Sequence, residues 1–207
     1  MSYKVIGAMG DSITNGYWDE EGIGWFGRLG RKILKDFPKQ YGFTNISQNG
    51  DRICDAFHRL GSDALTRDID ILIVAIGIND VIQRVSDPVT DMSLALRGEY
   101  WRSFLDLAQQ NYKQILILDI LPVREELYPV DDSSGAFFHK NNVSIEYNQL
   151  IKKLCQERNI PFFARYENWK NRNLADFYDD TAHPNTKGHE AIADEVYKEL
   201  LKIGFVG

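Results

Sequence analysis

Two nearly continuous apolar segments constrain the fold of this chain more than any other feature. They are DILIVAIG (70–77) and QILILDIL (114–121), and both are rich in Ile, Leu and Val. A strand with one face in water alternates apolar and polar residues, whereas a strand covered on both faces carries an unbroken apolar run. The two segments therefore predict central strands of a parallel sheet with helices on both faces.

Three further apolar runs and five segments of helical periodicity extend this pattern. The other predicted strands are YKVIGAM (3–9), FTNISQN (43–49) and IPFFARY (160–166). The predicted helices, in which apolar residues recur at helical spacing, cover 25–37, 52–65, 99–111, 143–159 and 187–204. This alternation predicts an α/β fold, a three-layer α/β/α sandwich. No repeat or linker interrupts it, so residues 1–207 are expected to form one domain.

The composition narrows the classes of partner. The net charge is -6, and the Lys and Arg residues are scattered, so no basic face predicts nucleic-acid binding. No apolar run approaches the roughly 18 residues that span a membrane, and the N-terminus lacks the pattern of a secretory signal. Cys54 and Cys155 are the two cysteines, too few for a disulfide framework. We expect a cytoplasmic protein with a small-molecule substrate; the oligomeric state stays open.

Polar residues follow the first three predicted strands, and another polar group precedes the last predicted helix. The groups are, in order, Gly10, Asp11 and Ser12; Asn49, Gly50 and Asp51; Gly77, Asn79 and Asp80; and Asp179, Asp180 and His183. In an open parallel sheet, ligands bind at the edge formed by the carboxyl ends of the strands. We therefore expect these groups to meet at one edge.

Together these groups supply the parts of an acyl-transfer site. Ser12 would be the nucleophile, His183 its base, and Asp180 the carboxylate that orients the imidazole. Asp180 and His183 are three residues apart, so both side chains can lie on one side of a single turn. The backbone N–H groups of Ser12 and Gly50 and the amide of Asn79 would donate to an oxyanion.

Four short motifs resemble those of the SGNH hydrolase (GDSL lipase/esterase) superfamily, and they occur in the same order. They are GDSI (10–13), NGD (49–51), GIND (77–80) and DTAHP (180–184). The resemblance covers essentially the whole chain. It implies a flavodoxin-like sheet of five parallel strands in the order 2-1-3-4-5, which agrees with the alternation above.

The same resemblance implies roles for individual residues. It makes Ser12 the nucleophile, Gly50 and Asn79 oxyanion donors, and Asp180 with His183 the Asp-x-x-His pair. No metal or other cofactor is implied. The function expected is a serine esterase, acting through an acyl-enzyme on short-chain or acetyl esters.

Several neighbouring residues are given other roles. Asp11 is expected to anchor the turn before Ser12 through local hydrogen bonds. His58 and His139 are expected at the surface, and His189 either packed or at the surface. Two long segments, 83–98 and 122–142, do not fit the alternation and are expected to be loops near the site. The residues expected to wall a substrate pocket are Trp18, Tyr128 and Phe138.

Other functions remain compatible with these residues. An acyltransferase, a lysophospholipase or a thioesterase would use the same site. A Mg²⁺-dependent phosphohydrolase would instead use the carboxylates that follow the strands and precede the last helix, namely Asp11, Asp51, Asp80 and Asp180. A non-enzymatic ligand-binding module would leave Ser12, Asp180 and His183 unexplained as a set.

Overall fold

A computed structural model of the chain describes residues 3–84, 92–127 and 137–207. Seven strands occur in these residues, in chain order β1 (Lys4–Gly10), β2 (Tyr41–Asn45), β3 (Ile71–Ala75), β4 (Gln83–Arg84), β5 (Gln114–Leu118), β6 (Phe137–Phe138) and β7 (Phe162–Phe163). Five of them form a parallel sheet in the order β2-β1-β3-β5-β7. This is the predicted 2-1-3-4-5 order, counted over the strands of this sheet. The other two, β4 and β6, pair antiparallel with each other.

Helices cover both faces of the sheet. The α-helices are α1 (Ser12–Asn15), α2 (Gly24–Asp36), α3 (Ile53–Arg59), α4 (Ile78–Val81), α5 (Leu94–Asn111), α6 (Asn141–Gln156), α7 (Tyr166–Lys170) and α8 (Thr186–Lys202). A π-helical turn (Leu60–Ala64) extends α3, and two short 3-10 helices cover Glu125–Leu127 and Leu174–Asp176. No helix in the described part of the chain is long and apolar enough to cross a membrane.

The sequence of the central strand β3 is continuously apolar because both faces of the strand are buried. Ile71 and Ile73 pack with α2 and α8 on one face of the sheet. Leu72 and Val74 pack with α3, α5 and α6 on the other face. Because successive strand residues point to opposite faces, both sets are buried, and the predicted three-layer fold is confirmed.

Element boundaries differ from the prediction where a local interaction outweighs the apolar pattern. Helix α5 begins at Leu94, within the segment 83–98 predicted as a loop, because the Ser93 side chain accepts a hydrogen bond from the Leu96 N–H at 3.2 Å. The first turn of this helix buries Arg97 and exposes Leu96, the reverse of the usual apolar periodicity.

The predictions for the histidines had mixed outcomes. The surface prediction for His139 was wrong: the residue is buried, and its Nε2 lies 2.7 Å from Oγ of the buried Ser144. His189 is buried, as one of its two alternatives required, and His58 is exposed. Cys155 is buried and Cys54 is partly buried, and both are free thiols.

Candidate active site

Ser12 is the first residue of the one-turn helix α1, immediately beyond the carboxyl end of β1. Asp11 caps this helix, because its Oδ1 accepts a hydrogen bond from the Ile13 N–H at 3.0 Å. Gly16 ends the helix in the left-handed region, with φ 92°, a conformation that glycine adopts at little steric cost. The predicted anchoring role of Asp11 is confirmed. Burial raises the pKa of Asp11 to about 7, although the hydrogen bond from Ile13 opposes this shift.

A continuous hydrogen-bonded chain joins Ser12, His183 and Asp180. Ser12 Oγ lies 2.9 Å from His183 Nε2, and His183 Nδ1 lies 2.7 Å from Asp180 Oδ2. With its proton on Nδ1, the imidazole donates to the carboxylate, and Nε2 is left to accept the serine proton. The arrangement can therefore move a proton from the Ser12 hydroxyl to the imidazole.

The loop that carries Asp180 and His183 is held by its own backbone. Asp180 Oδ1 accepts from the Ala182 N–H at 2.9 Å and from the His183 N–H at 2.7 Å. Partial burial opposes ionisation of Asp180, but the hydrogen bonds from the His183 side chain and from these backbone groups hold its pKa well below its usual range. The carboxylate is therefore ionised throughout the neutral range.

A second anchor joins this loop to the rest of the fold. The Arg124 N–H donates to the Thr181 carbonyl at 2.8 Å, and the Tyr178 hydroxyl donates to the Pro122 carbonyl at 2.9 Å. Residues 122 and 124 follow β5, so this loop is fixed to the same edge of the sheet as Ser12.

Asn79 lies in α4 and Gly50 in the loop after β2, and hydrogen bonds hold these two segments together. Asn79 Nδ2 donates to the Asp51 carbonyl at 3.0 Å. The Ile53 N–H, at the start of α3, donates to the Asp80 carboxylate at 3.0 Å. These two contacts fix the loop after β2 and the start of α3 to α4.

Gly50 has a left-handed backbone, with φ 83°, and a Cβ at this position would meet no atom within 4 Å. The glycine is therefore favoured by its backbone conformation, and the space beside it is open. The Asn15 amide donates to Asn49 Oδ1 at 3.0 Å, which ties α1 to this loop.

Several residues at the site were not assigned these contacts from the sequence. The Tyr17 ring packs against the His183 imidazole, with 4.8 Å between ring centroids. Trp18 Nε1 donates to Asp180 Oδ2 at 3.0 Å. Arg59 donates to the Ile46 carbonyl and to the Asp51 carboxylate, holding the loop after β2. The contacts of Tyr17 and Trp18 join residues more than about 160 positions apart, so no local spacing indicates them.

Trp18 was predicted to wall a substrate pocket together with Tyr128 and Phe138, and the positions of these last two side chains are not described. Tyr128 lies outside the described residues. Phe138 belongs to β6, whose backbone alone is described.

The carboxylates proposed for a metal site have separate protein partners. Asp11 caps α1, Asp80 accepts from Ile53, Asp51 pairs with Arg59, and Asp180 binds His183. Within residues 3–84, 92–127 and 137–207, no group of three or more His, Cys, Asp or Glu side chains is arranged to hold a metal ion.

Comparisons with known proteins agree with the fold and with the motifs. The sequence model described as "GDSL-like Lipase/Acylhydrolase family" matches residues 8–191. The uncharacterized protein YpmR of Bacillus subtilis (strain 168) is 23% identical over 214 residues, covering 97% of this chain and 82% of YpmR.

Two solved structures are similar over nearly the whole chain. The lipase/acylhydrolase from Enterococcus faecalis has a TM-score of 0.79 at 17% identity, covering 97% of this chain and 96% of that one. Axe2, an acetylxylan esterase from Geobacillus stearothermophilus, has a TM-score of 0.77 at 20% identity, covering 96% of this chain and 94% of Axe2.

Proposed function

Because the chain belongs to the GDSL-like lipase/acylhydrolase family and is thus a serine hydrolase, we propose that it cleaves short-chain acyl esters, acetyl esters above all, through an acyl-enzyme on Ser12. The observation that carries this proposal is the hydrogen-bonded chain from Ser12 Oγ through the His183 ring to Asp180 Oδ2, with distances of 2.9 and 2.7 Å.

The acylation step follows from this chain of contacts. Ser12 Oγ attacks the ester carbonyl carbon while its proton passes to His183 Nε2. Asp180 accepts the hydrogen bond from Nδ1–H and stabilises the imidazolium that forms. When the tetrahedral intermediate collapses, the bond to the alcohol oxygen breaks, and His183 returns the proton to the departing alkoxide.

Deacylation repeats these steps with water as the nucleophile. His183 removes a proton from the water as its oxygen attacks the acyl carbon, and it then protonates Ser12 Oγ as the acid leaves. An alcohol in place of water would make the same enzyme an acyltransferase, because both reactions share the acyl-enzyme.

The negative charge on the tetrahedral intermediate requires hydrogen-bond donors. The proposed donors are the Ser12 and Gly50 backbone N–H groups and the Asn79 side chain. The Asn79 amide carries two N–H bonds. One donates to the Asp51 carbonyl at 3.0 Å, which orients the amide and leaves the second for the oxyanion.

The sequences of the two long segments beyond the strands support a short acyl group. Segments 83–98 and 122–142 carry charged residues at short intervals, so no extended apolar groove for a long acyl chain is predicted from them. Tyr128 and Phe138 remain proposed as substrate-pocket residues, whereas the Trp18 indole contacts Asp180. Because the structurally similar Axe2 is an acetylxylan esterase, acetylated xylan is a natural first substrate to test.

A serine-directed fluorophosphonate tests this function most directly. We expect the wild-type protein to hydrolyse p-nitrophenyl acetate and to be labelled on Ser12, and Ser12→Ala to lose both properties while keeping its circular dichroism spectrum. Retained turnover by the pure Ser12→Ala protein would exclude the proposed mechanism. Ser47→Ala, in the loop after β2, is the matched control and should still be labelled.

A further inference from the structure

We propose that Trp18 is a positioning residue that holds the Asp180 carboxylate in place for His183. The inference rests on the proposed function, because it assigns Trp18 a part in orienting the catalytic histidine. Trp18 Nε1 lies 3.0 Å from Asp180 Oδ2, the same oxygen that His183 Nδ1 contacts at 2.7 Å.

Among the described residues, Trp18 is the one that donates to the Asp180 carboxylate from outside the turn 180–183. The other three hydrogen bonds to Asp180 come from its own turn: the Ala182 N–H, the His183 N–H and the His183 ring. The Asp180 side chain is 39% exposed, so water can reach it. A donor fixed to α1 ties the carboxylate to the helix that carries Ser12.

The backbone holds Trp18 in a conformation that such a residue seldom adopts. Its φ is 63°, and a bulky residue in the left-handed region carries backbone strain that persists only where its surroundings impose the conformation. The side chain is also 51% exposed, so burial of the ring does not account for the conformation. The hydrogen bond to Asp180 does give the exposed indole a defined partner.

The segment around Trp18 is clamped on both sides. His189 Nε2 donates to the Tyr17 carbonyl at 3.1 Å. The Asp19 carboxylate, fully buried, pairs with Arg28 at 2.5 Å and accepts from the Gly24 N–H at 2.8 Å. The Tyr17 and Asp19 backbones are thus fixed, and Trp18 between them presents its indole N–H without needing to be ordered by substrate.

Tyr17 adds a second contact to the same pair. Its ring packs on the His183 imidazole and lies edge-on to the Trp18 ring, with 5.0 Å between the two aromatic centroids. The dipeptide Tyr17–Trp18 therefore contacts both His183 and Asp180, and each ring limits the movement of one of them.

Phenylalanine at position 18 tests the N–H group while keeping an aromatic ring. We expect Trp18→Phe to lower kcat for p-nitrophenyl acetate about tenfold, the effect of losing one hydrogen bond to a charged group that water partly replaces. KM should change less than about twofold, because the indole acts on the carboxylate and not on the substrate. An unchanged kcat, or a loss carried entirely by KM, would overturn the proposal.

A double-mutant cycle shows whether Trp18 acts through Asp180. In an Asp180→Ala background, Trp18→Phe should have no further effect on kcat. In the matched background Asp179→Ala, which removes the exposed neighbouring carboxylate, it should keep its full tenfold effect. Equal effects in the two backgrounds would assign the loss to general structure and overturn the proposal.

A spectroscopic measurement does not depend on activity. Trp18→Phe identifies the indole N–H resonance of Trp18 in a ¹H–¹⁵N spectrum by its disappearance. That resonance should move in Asp180→Ala and stay in place in Asp179→Ala, and the opposite pattern would contradict the contact. Activity retained by Ser12→Ala would contradict the proposed function, and the spectrum would still show whether Trp18 contacts Asp180. A wild-type kcat in Trp18→Phe, with Ser12→Ala inactive, would contradict this inference alone.

Discussion

Asn79 has one observed contact and one proposed catalytic role, and kinetics can separate the two. One N–H of its amide holds the loop after β2 through the Asp51 carbonyl, and the other is proposed to donate to the oxyanion. A donor aimed at the oxyanion acts mainly in the transition state, whereas a binding contact would act on the ground state as well.

Asn79→Ala should therefore lower kcat by roughly 10² to 10³, the usual effect of removing one oxyanion donor. KM should change much less, which steady-state kinetics with p-nitrophenyl acetate would measure. Asn111→Ala removes an exposed amide that donates to the Leu107 carbonyl within α5, and it should leave both constants unchanged. A loss of affinity with normal kcat would make Asn79 a binding residue instead.

The residues of the site show which contacts sequence can indicate. Asp180 and His183 lie three residues apart, and their hydrogen bonds are local, so their spacing predicts the pair. The contact between Trp18 and Asp180 spans 162 positions, and it depends on how two loops approach one another in the folded chain. No pattern within either loop carries that information.

The short helix α4 shows how an element positions the site at the expense of burying a charge. It begins after Gly77, whose φ is 135° and where a Cβ would lie 2.8 Å from Ile120 Cδ1. It places Asp80 in the interior, where burial raises the pKa of this carboxyl to about 7 although the Ile53 N–H hydrogen bond opposes the shift. The buried Asp80 carboxylate thereby holds the start of α3, and Asn79 of the same helix holds the loop after β2.

This raised pKa predicts how stability varies with pH. In the unfolded chain an Asp side chain titrates at about 3.9, so the folded state binds the proton more tightly. The contribution of Asp80 to stability is therefore fully present below about pH 4 and is lost as the pH rises through about 7. Between about pH 4 and 7 the unfolding free energy of the wild-type protein should fall as the pH rises. In Asp80→Asn this fall should be shallower by up to about 1.4 kcal/mol per pH unit.

Urea denaturation at several pH values between about 4 and 7 would measure that slope. Asp11 has a pKa raised by burial to about 7 as well, so the Asp80→Asn protein should keep part of the decline. Asp179→Asn, at an exposed position, is the control and should keep all of it. An unchanged slope in Asp80→Asn would contradict the burial argument.

Element boundaries were harder to predict than the elements themselves. The first turn of α5 buries Arg97 and exposes Leu96, and the helix start depends on a Ser93 cap. His139 is buried beside Ser144, in a segment with no regular periodicity to indicate its burial. In both places one specific hydrogen bond, at the Ser93 cap or between His139 and Ser144, accompanies the departure from the hydrophobic pattern on which the prediction depends.

For the molecule as a whole, the parallel sheet determines both what could be predicted and where the site lies. The apolar runs in β3 and β5 fix a sheet covered on both faces, and that topology brings the loops after β1, β2 and β3 to one edge. Two residues from each of the long segments also pair with each other, because β4 (Gln83–Arg84) lies antiparallel to β6 (Phe137–Phe138). This pairing was not predicted, since each strand has only two residues.

The sequences of these long segments predict the substrate range. Segment 83–98 is interrupted by Arg84, Asp87, Asp91 and Arg97, and segment 122–142 has few apolar residues, so neither supplies an extended apolar groove. An acyl tunnel would add about 0.8 kcal/mol for each buried CH₂, or about fourfold in kcat/KM per carbon.

We expect instead a maximum at acetyl to butyryl esters and a decline beyond them. The measurement is kcat/KM for p-nitrophenyl esters of two to about twelve carbons, with the Ser12→Ala protein as the blank for spontaneous hydrolysis of each ester. A rise that continues to about eight carbons would require an extended apolar acyl site, which the sequences of these segments do not predict. That result would exclude a short-chain esterase and favour a lysophospholipase or thioesterase acting through the same Ser12.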